Sequence, residues 1–147
     1  MKKFKMRWPA LKMEVMCDGI SENQEALDIL VDNMPVKAIQ GHEMVGGWML
    51  RARAVHLQKV PFELEAAQMK NEKMKDAPIG RVSLLFPQGG TTELLVKYDA
   101  CVDDRDYIPV AQVAEKDLEV LKKVGRLQWQ SATRTKEIYH VEFMEVE

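Results

Sequence analysis

The feature of this sequence that most constrains its fold is a succession of short strand-forming segments, with a clear amphipathic helix only near each end. Two such segments, Arg81 to Phe86 and Thr92 to Tyr98, flank the turn residues Pro87-Gln88-Gly89-Gly90 and predict a β-hairpin. The last segment, Ile138 to Val146, alternates apolar and polar residues as a half-buried terminal strand does. Strands of this kind bury their apolar faces by packing together in one sheet or barrel.

Three further segments complete the prediction of strands and loops. Trp8 to Met16 alternates loosely and ends at the turn residues Cys17-Asp18-Gly19, which predicts one strand. Val36 to Leu57 predicts strands interrupted at Gly46-Gly47, either by a hairpin turn or by a bulge. The polar run Asp99 to Asp106 predicts a loop.

Two segments predict helices. Ser21 is the expected N-cap of the first, which Asn33 ends. Its apolar residues at helical spacing are Ala26, Leu27, Leu30 and Val31. The second helix is predicted over Ala114 to Val124, with Gly125 as its C-terminal stop. The sequence therefore predicts a mainly β protein with two or three helices, in which a closed β-barrel is capped by the helices.

The composition fits one globular domain over residues 1–147, with 46% apolar residues. Residues 58–80 mix charges and methionines and predict an inserted loop or lid. The net charge of -2 leaves no basic excess to neutralise phosphates, so a nucleic acid partner is not expected. The basic start Met1-Lys2-Lys3 is not followed by an apolar segment long enough for a signal or a membrane span. We expect a cytoplasmic protein without membrane association, and a homo-oligomer is compatible with the sequence.

The stretch from Trp129 to Glu137 carries more polar chemistry than a structural turn requires. It joins the second helix to the last strand, and ligand sites tend to lie on loops held by a rigid scaffold. Ser131 and Trp129 are candidate substrate-binding residues in this stretch, and Glu137 is a candidate catalytic residue. The alternative is a solvated connection without a ligand.

Arg134 and Lys136 are the two cations of this stretch, and they have the same parity entering the last strand. Both side chains are therefore expected to point at one anionic group. The planar guanidinium of Arg134 would bind a ligand carboxylate through two hydrogen bonds. The alternative is that both cations pair with surface acids such as Glu142 or Asp103, which contributes little stability.

A family resemblance rests on several segments of the chain. They are His42 and Trp48, Ile108-Pro109-Val110, Asp117-Leu118 with the following Leu121-Lys122-Lys123-Val124-Gly125-Arg126, and Trp129 with Arg134-Thr135-Lys136-Glu137. In these segments and in the order of its elements, the chain resembles small bacterial cyclophilin-like proteins of unassigned function. The resemblance covers nearly the whole chain and is most specific from Lys116 to Glu142. The same fold group contains the cucumopine and mikimopine synthases, which condense histidine with 2-oxoglutarate. The resemblance thus implies a barrel with a small-molecule pocket.

Four aromatic residues are further candidates. His42 can act as a general base near neutral pH, or it is a half-exposed strand histidine. Trp48 follows six residues later with the same parity, so it shares a barrel face with His42 unless Gly46-Gly47 forms a bulge. Trp48 and Trp129 are either walls of a ligand site or core residues. Tyr98, expected at the barrel mouth, has a hydroxyl that can donate to a developing oxyanion.

Several kinds of chemistry find no motif in the sequence. There is no nucleophile elbow, phosphate loop or dinucleotide fingerprint, and the histidines lack the spacing of metal ligands, so neither a cofactor nor a metal is expected. Three classes of function remain. The favoured one is an enzyme that forms or cleaves a C–N or C–C bond in a carboxylate-bearing, amino-acid-derived or heterocyclic metabolite. The second is a non-catalytic module that binds a metabolite or a partner. The third is a peptidyl-prolyl isomerase, which only the resemblance to cyclophilin-like proteins implies.

Overall fold

The computed structural model describes residues 1–55, 69–85 and 92–147, except for the side chain of Ala54, and this part of the chain is mainly β. Its strands are β1 (Lys3–Trp8), β2 (Met13–Gly19), β3 (Val36–His42), β4 (Gly47–Val55), β5 (Glu72–Lys73), β6 (Arg81–Leu85), β7 (Thr92–Cys101), β8 (Asp106–Val113) and β9 (Tyr139–Val146). Its α-helices are α1 (Gln24–Asp32) and α2 (Leu118–Gln130). Short helical turns cover Pro9–Leu11, Glu115–Asp117 and Ser131–Thr135, the last of which is a π-helical turn.

Eight of the described strands close into an antiparallel barrel. They follow one another in the order β2, β1, β9, β3, β4, β7, β6 and β8, and β8 pairs again with β2 through Val113 and Cys17. The short strand β5 pairs with β8, with Glu72 opposite Tyr107. Closure leaves the eight barrel strands without a free edge, because each strand has a partner on both sides.

Alternate residues of the strands fill the barrel. On β3, Ala38, Gln40 and His42 are buried, and the residues between them are more exposed. The core residues of β7 on the barrel side are Leu94, Val96 and Tyr98. His42 lies at the last position of β3, so its buried ring is at the end of the barrel rather than in its middle.

The two described helices pack apolar faces against the barrel. The buried residues of α1 are those that the periodicity predicts, Ala26, Leu27, Leu30 and Val31. The buried residues of α2 are Leu121, Val124, Gly125 and Gln128. The prediction of a mainly β protein with a closed barrel and capping helices is confirmed.

No helix within the described ranges is both long enough and apolar enough to cross a membrane.

The predicted strands around the Pro87–Gly90 turn are confirmed as β6 and β7, which pair with Val82 opposite Val96. The turn itself lies outside the described residues. The predicted insertion at residues 58–80 is described from Met69 onward, where it contains β5. Its earlier part lies outside the described residues.

The prediction of a single strand from Trp8 to Met16 is wrong. β1 ends at Trp8, a short helical turn begins at Pro9, and β2 begins at Met13. Proline has no N–H group for a strand ladder and fixes φ, so it ends the strand. Lys12 then adopts a left-handed conformation with a φ of 53°. The segment is the turn of a hairpin, and the register of β1 on β2 places Trp8 opposite Met13.

The first helix begins later than predicted. Ser21 is not its N-cap, because α1 starts at Gln24 and Asn23 occupies the N-cap position. The Asn23 side chain does not bond to the helix. Its Nδ2 group donates to the carbonyls of Lys70 and Pro109, and its Oδ1 atom accepts from the Lys70 N–H group. These distant backbone contacts fix the helix start, and a local capping rule does not include them.

The sequence predicts that Gly125 ends the second helix, but Gly125 lies inside α2. A neighbouring side chain on β7 explains why this residue is a glycine. A Cβ atom at Gly125 would lie 2.5 Å from three atoms of the Tyr98 ring. The glycine is therefore required by the close approach of the helix to Tyr98, and not by a turn.

We expect Gly125→Ala to lower the free energy of unfolding by about 1–3 kcal/mol, because the methyl group overpacks the contact with Tyr98. Helix propensity alone would change stability by about 1 kcal/mol in the opposite direction. Urea unfolding measures the change. Lys123→Ala, at an exposed position of the same helix, is the control. A Gly125→Ala protein that is as stable as the unchanged protein would show that the close contact is not required.

Candidate functional site

Four aromatic rings from different elements meet at one end of the barrel. They belong to His42 at the end of β3, Trp48 on β4, Tyr98 on β7 and Trp129 on α2. The His42 ring centroid lies 4.8 Å from that of Trp129, 5.5 Å from that of Tyr98 and 6.0 Å from that of Trp48. The two tryptophan rings are 5.3 Å apart. The structure thus brings together four of the residues that the sequence singles out.

Hydrogen bonds fix the protonation pattern of His42. The Nδ1 atom lies 2.6 Å from the backbone carbonyl oxygen of Glu43, and the Nε2 atom lies 2.6 Å from the Tyr98 hydroxyl. A carbonyl oxygen can only accept, so Nδ1 carries the proton in the neutral ring. Nε2 is then the acceptor, and the Tyr98 hydroxyl donates to it. The unprotonated nitrogen of His42 therefore faces the tyrosine hydroxyl.

Burial reinforces this pattern. His42 is 3% exposed and Tyr98 is 2% exposed. Burial lowers the pKa of His42 and outweighs the backbone and carboxylate of Glu43, which raise it. Burial likewise raises the pKa of Tyr98, partly opposed by Arg126. At neutral pH the pair therefore consists of a neutral imidazole and a protonated phenol.

The Glu43 carboxylate is held by four donors. The N–H groups of Met44 and Val45 donate to Oε1, and the guanidinium groups of Arg51 and Arg105 donate to Oε2 at 3.1 and 3.2 Å. Burial alone would raise the pKa of Glu43, but the two N–H groups and the two cations hold it below its ordinary value. An ionised Glu43 thus anchors the turn whose carbonyl orients His42.

The charge network extends from Glu43 in two directions. Arg51 also donates to Glu93, with 2.6 Å between Nε and Oε2. Arg51 is therefore paired with two carboxylates and is not a solvated strand charge. Arg105 also donates to Asp103, which accepts a further hydrogen bond from Tyr107. Burial opposes ionisation of Asp103, but Arg105 and Tyr107 lower its pKa to about 2.

The turn between β3 and β4 is hydrogen-bonded to the segment that follows β7. The carbonyl of Gly46 accepts the N–H groups of Val102 and Asp103. Gly47 has a φ of 124°, and a Cβ atom there would lie 2.6 Å from the Cα atom of Cys101. The sequence predicts either a hairpin turn or a bulge at Gly46-Gly47, and the structure has both features. Residues 43–46 connect the antiparallel strands β3 and β4, and the register of β4 on β7 shifts between Gly47 and Met49. Trp48 lies within this irregularity, so its approach to His42 does not come from a continuous strand.

The polar stretch after Trp129 is helical at first, and not a simple loop. Ser131 is buried, and its hydroxyl donates to the backbone carbonyl of Glu137. The exposed Glu137 carboxylate accepts from the Tyr139 hydroxyl at 3.2 Å. The hydrogen bonds of Ser131 and Glu137 therefore join residues of this stretch to one another and to the start of β9. Roles for Ser131 in substrate binding and for Glu137 in catalysis stay predictions.

The strand parity assigned to Arg134 and Lys136 is wrong. Arg134 lies in the π-helical turn, and Lys136 has a left-handed φ of 60°. The Lys136 ammonium group donates to the carbonyl of Ala132. Arg134 is exposed, and within the described parts of the chain it forms no ion pair with Glu142 or Asp103. The role of Arg134 and Lys136 in binding an anion stays a prediction.

Sequence reasoning missed the part played by Glu43. The neighbouring side chains of His42 and Glu43 point to different faces of a strand, and this argues against direct cooperation. The contact uses the Glu43 backbone instead, which side-chain parity does not describe. The alternation Asp103, Arg105, Tyr107 is a signal that these polar groups share a face.

Comparisons with known proteins establish the fold. No family model matches the sequence, and no curated protein sequence is significantly similar to it. A solved structure described as McbB in complex with tryptophan matches with a TM-score of 0.78 and 21% sequence identity. The match covers 96% of this chain and 44% of the McbB chain, so this chain spans less than half the length of McbB. The similarity is one of fold, and membership of a cyclophilin-like family stays a prediction.

We expect the His42 imidazole to be neutral at pH 7, protonated on Nδ1, and to titrate below its ordinary pKa of about 6.5. Burial lowers the pKa, and the hydrogen bond to the carbonyl of Glu43 places the proton on Nδ1. Long-range ¹H–¹⁵N NMR spectra recorded across pH measure both properties, and loss of the signal in His42→Gln assigns it. A proton on Nε2 at pH 7, or a midpoint above the ordinary value, would contradict the assignment.

Proposed function

We propose that this chain is a small-molecule enzyme in which Tyr98 and His42 act together as a proton relay. One observation carries the proposal: the buried Tyr98 hydroxyl donates to the unprotonated Nε2 atom of His42, whose tautomer is fixed from its other side. Buried polar pairs of this kind, with shifted pKa values, are characteristic of functional sites.

The relay first carries a proton away from the ligand and later returns one. In the first step the Tyr98 oxygen takes a proton from the ligand while the Tyr98 hydroxyl proton passes to Nε2 of His42. The imidazolium that forms is disfavoured by burial, so it returns the proton readily when the product needs one. Acid and base catalysis then use the same two groups. Such transfers accompany formation or cleavage of a C–N or C–C bond next to an amine and a carbonyl.

The two tryptophans support a flat, aromatic ligand. Trp48 and Trp129 both lie beside His42 with their ring centroids 5.3 Å apart, and Trp48 is 41% exposed, so one wall of the cluster faces solvent. Aromatic rings favour contact with other aromatic rings. The bound tryptophan in the McbB structure supports the same class of ligand. We therefore propose an aromatic amino acid or a derivative of one, with its carboxylate bound by the exposed Arg134.

A module that binds a metabolite without turnover is the second candidate. The observation that favours it is the low exposure of both reacting groups, because a ligand held by the tryptophans need not contact Tyr98. Saturable binding without product formation would support this candidate.

The relay predicts that Tyr98→Phe and His42→Gln each lower the rate of product formation about 100- to 10,000-fold. The double variant should be little worse than either, because the two groups act as a unit. L-Tryptophan and L-histidine, each offered with a panel of aldehydes and 2-oxo acids, are the substrates, and mass spectrometry detects new products. Tyr139→Phe is the matched control, since that hydroxyl contacts Glu137 and not His42.

The relay also predicts the direction in which the reaction rate changes with pH. His42 accepts a proton only when neutral, so kcat/KM should be constant above its lowered pKa and fall as pH drops through it. Any activity left in His42→Gln should lack this acid limb. Full activity of His42→Gln with an unchanged profile would rule out the relay.

Arg134→Lys should weaken binding of L-tryptophan by about 1.5–3 kcal/mol, because lysine keeps the charge but lacks the planar pair of donors. Stability should be unchanged, since Arg134 is exposed. Isothermal titration calorimetry and urea unfolding measure the two quantities. Arg53→Lys, at another exposed arginine, is the control. Unchanged affinity would remove Arg134 from the site.

A further inference from the structure

We infer that Gln128 supplies a buried hydrogen-bond acceptor to the ligand site, and that it selects ligands carrying an N–H group at that point. The inference rests on the proposed function for the position of the ligand beside Tyr98 and His42. It adds a residue and a chemical requirement that neither the relay nor the carboxylate contact supplies.

The amide oxygen of Gln128 is buried without a partner. The residue is 3% exposed, and its Oε1 atom has no hydrogen-bond partner in the described structure. Buried polar atoms in native proteins are nearly always paired, because water no longer compensates the atom that was desolvated. An acceptor at a candidate site that no donor of the described residues satisfies is therefore an observation that points to a ligand donor.

The position of Gln128 on α2 places it beside the proton relay. Gln128 lies three residues after Gly125, on the same buried face of the helix. Gly125 approaches the Tyr98 ring, and Trp129, the residue after Gln128, contacts the His42 ring. The helix thus carries contacts to both members of the relay on either side of Gln128.

The chemistry of an amide oxygen defines what it can bind. A neutral carbonyl accepts a hydrogen bond and does not bind a carboxylate, so its role differs from that of Arg134. In an aromatic amino acid such as tryptophan, the N–H donors are the amino group and the indole ring. Either one, placed against Oε1, would satisfy the buried acceptor and hold the ligand beside the Tyr98 hydroxyl.

The test combines one variant with a set of ligands. Gln128→Met keeps the length of the side chain and removes the acceptor, and Gln130→Met, at an exposed position of the same helix, is the control. Calorimetry measures the affinities for L-tryptophan, 1-methyl-L-tryptophan and indole-3-propionate. The second ligand lacks the indole N–H group, and the third lacks the amino group.

We expect Gln128→Met to bind L-tryptophan about 10- to 100-fold more weakly, which corresponds to one lost hydrogen bond in a buried site. The analogue that lacks the N–H group bound by Gln128 should bind the variant and the unchanged protein equally well. The ligand whose affinity does not change therefore identifies the group that Gln128 binds. The ligand-free variant should have an unchanged or higher urea midpoint, because removing an unpaired buried acceptor is not destabilising.

Several results would overturn the inference. Equal affinity of the variant and the unchanged protein for L-tryptophan would do so while leaving the relay intact. A loss of affinity that is the same for all three ligands would also do so, because it would not depend on an N–H group. A lower urea midpoint of the ligand-free variant would show that Oε1 has a partner within the protein. Absence of any binding by the unchanged protein would overturn the proposed ligand class, and this inference with it.

Discussion

The hydrogen bond from the Nδ1–H group of His42 to the backbone carbonyl of Glu43 is the contact on which the candidate site depends. It decides which nitrogen of the ring is a base, and it directs that nitrogen at Tyr98. The acceptor is a main-chain atom at the start of a turn. The chemistry of His42 is therefore coupled to the conformation of residues 43–46, more than to any single side chain.

The charge network stabilises that turn, and its members do not contribute equally. Arg105 has a side chain that is 56% exposed, and ion pairs of exposed groups contribute about 0–1 kcal/mol. The pair of Arg51 with Glu43 has side chains that are 19% and 7% exposed, and removing one partner from a buried pair typically costs about 3–5 kcal/mol. Of the two arginines, Arg51 is thus the stronger support of Glu43. Arg105 chiefly links the turn to Asp103.

Much of the fold follows from local sequence patterns, because periodicity and burial reflect the same alternation of side chains. The buried face of α1 and the pairing of β6 with β7 are examples. The patterns fail where a contact between residues distant in the sequence determines the bounds of a helix. Gly125 lies inside α2 where the helix approaches Tyr98, and the Asn23 side chain binds distant carbonyls at the start of α1.

The candidate site divides in the same way. His42, Trp48, Tyr98 and Trp129 can be selected from the sequence by residue type, and the structure brings their rings together. The Glu43 carbonyl could not be selected, because every residue has a carbonyl and only the fold decides which one is aimed at an imidazole.

Burial sets a condition on function, since a ligand contacts the Tyr98 hydroxyl only if a neighbouring group moves. Trp48 is the most exposed ring of the cluster, and it lies where the pairing of β4 with β7 is irregular. Its displacement breaks fewer contacts than movement of a residue in the barrel core, so the aromatic wall that would bind a ligand is also the part of the site best suited to open.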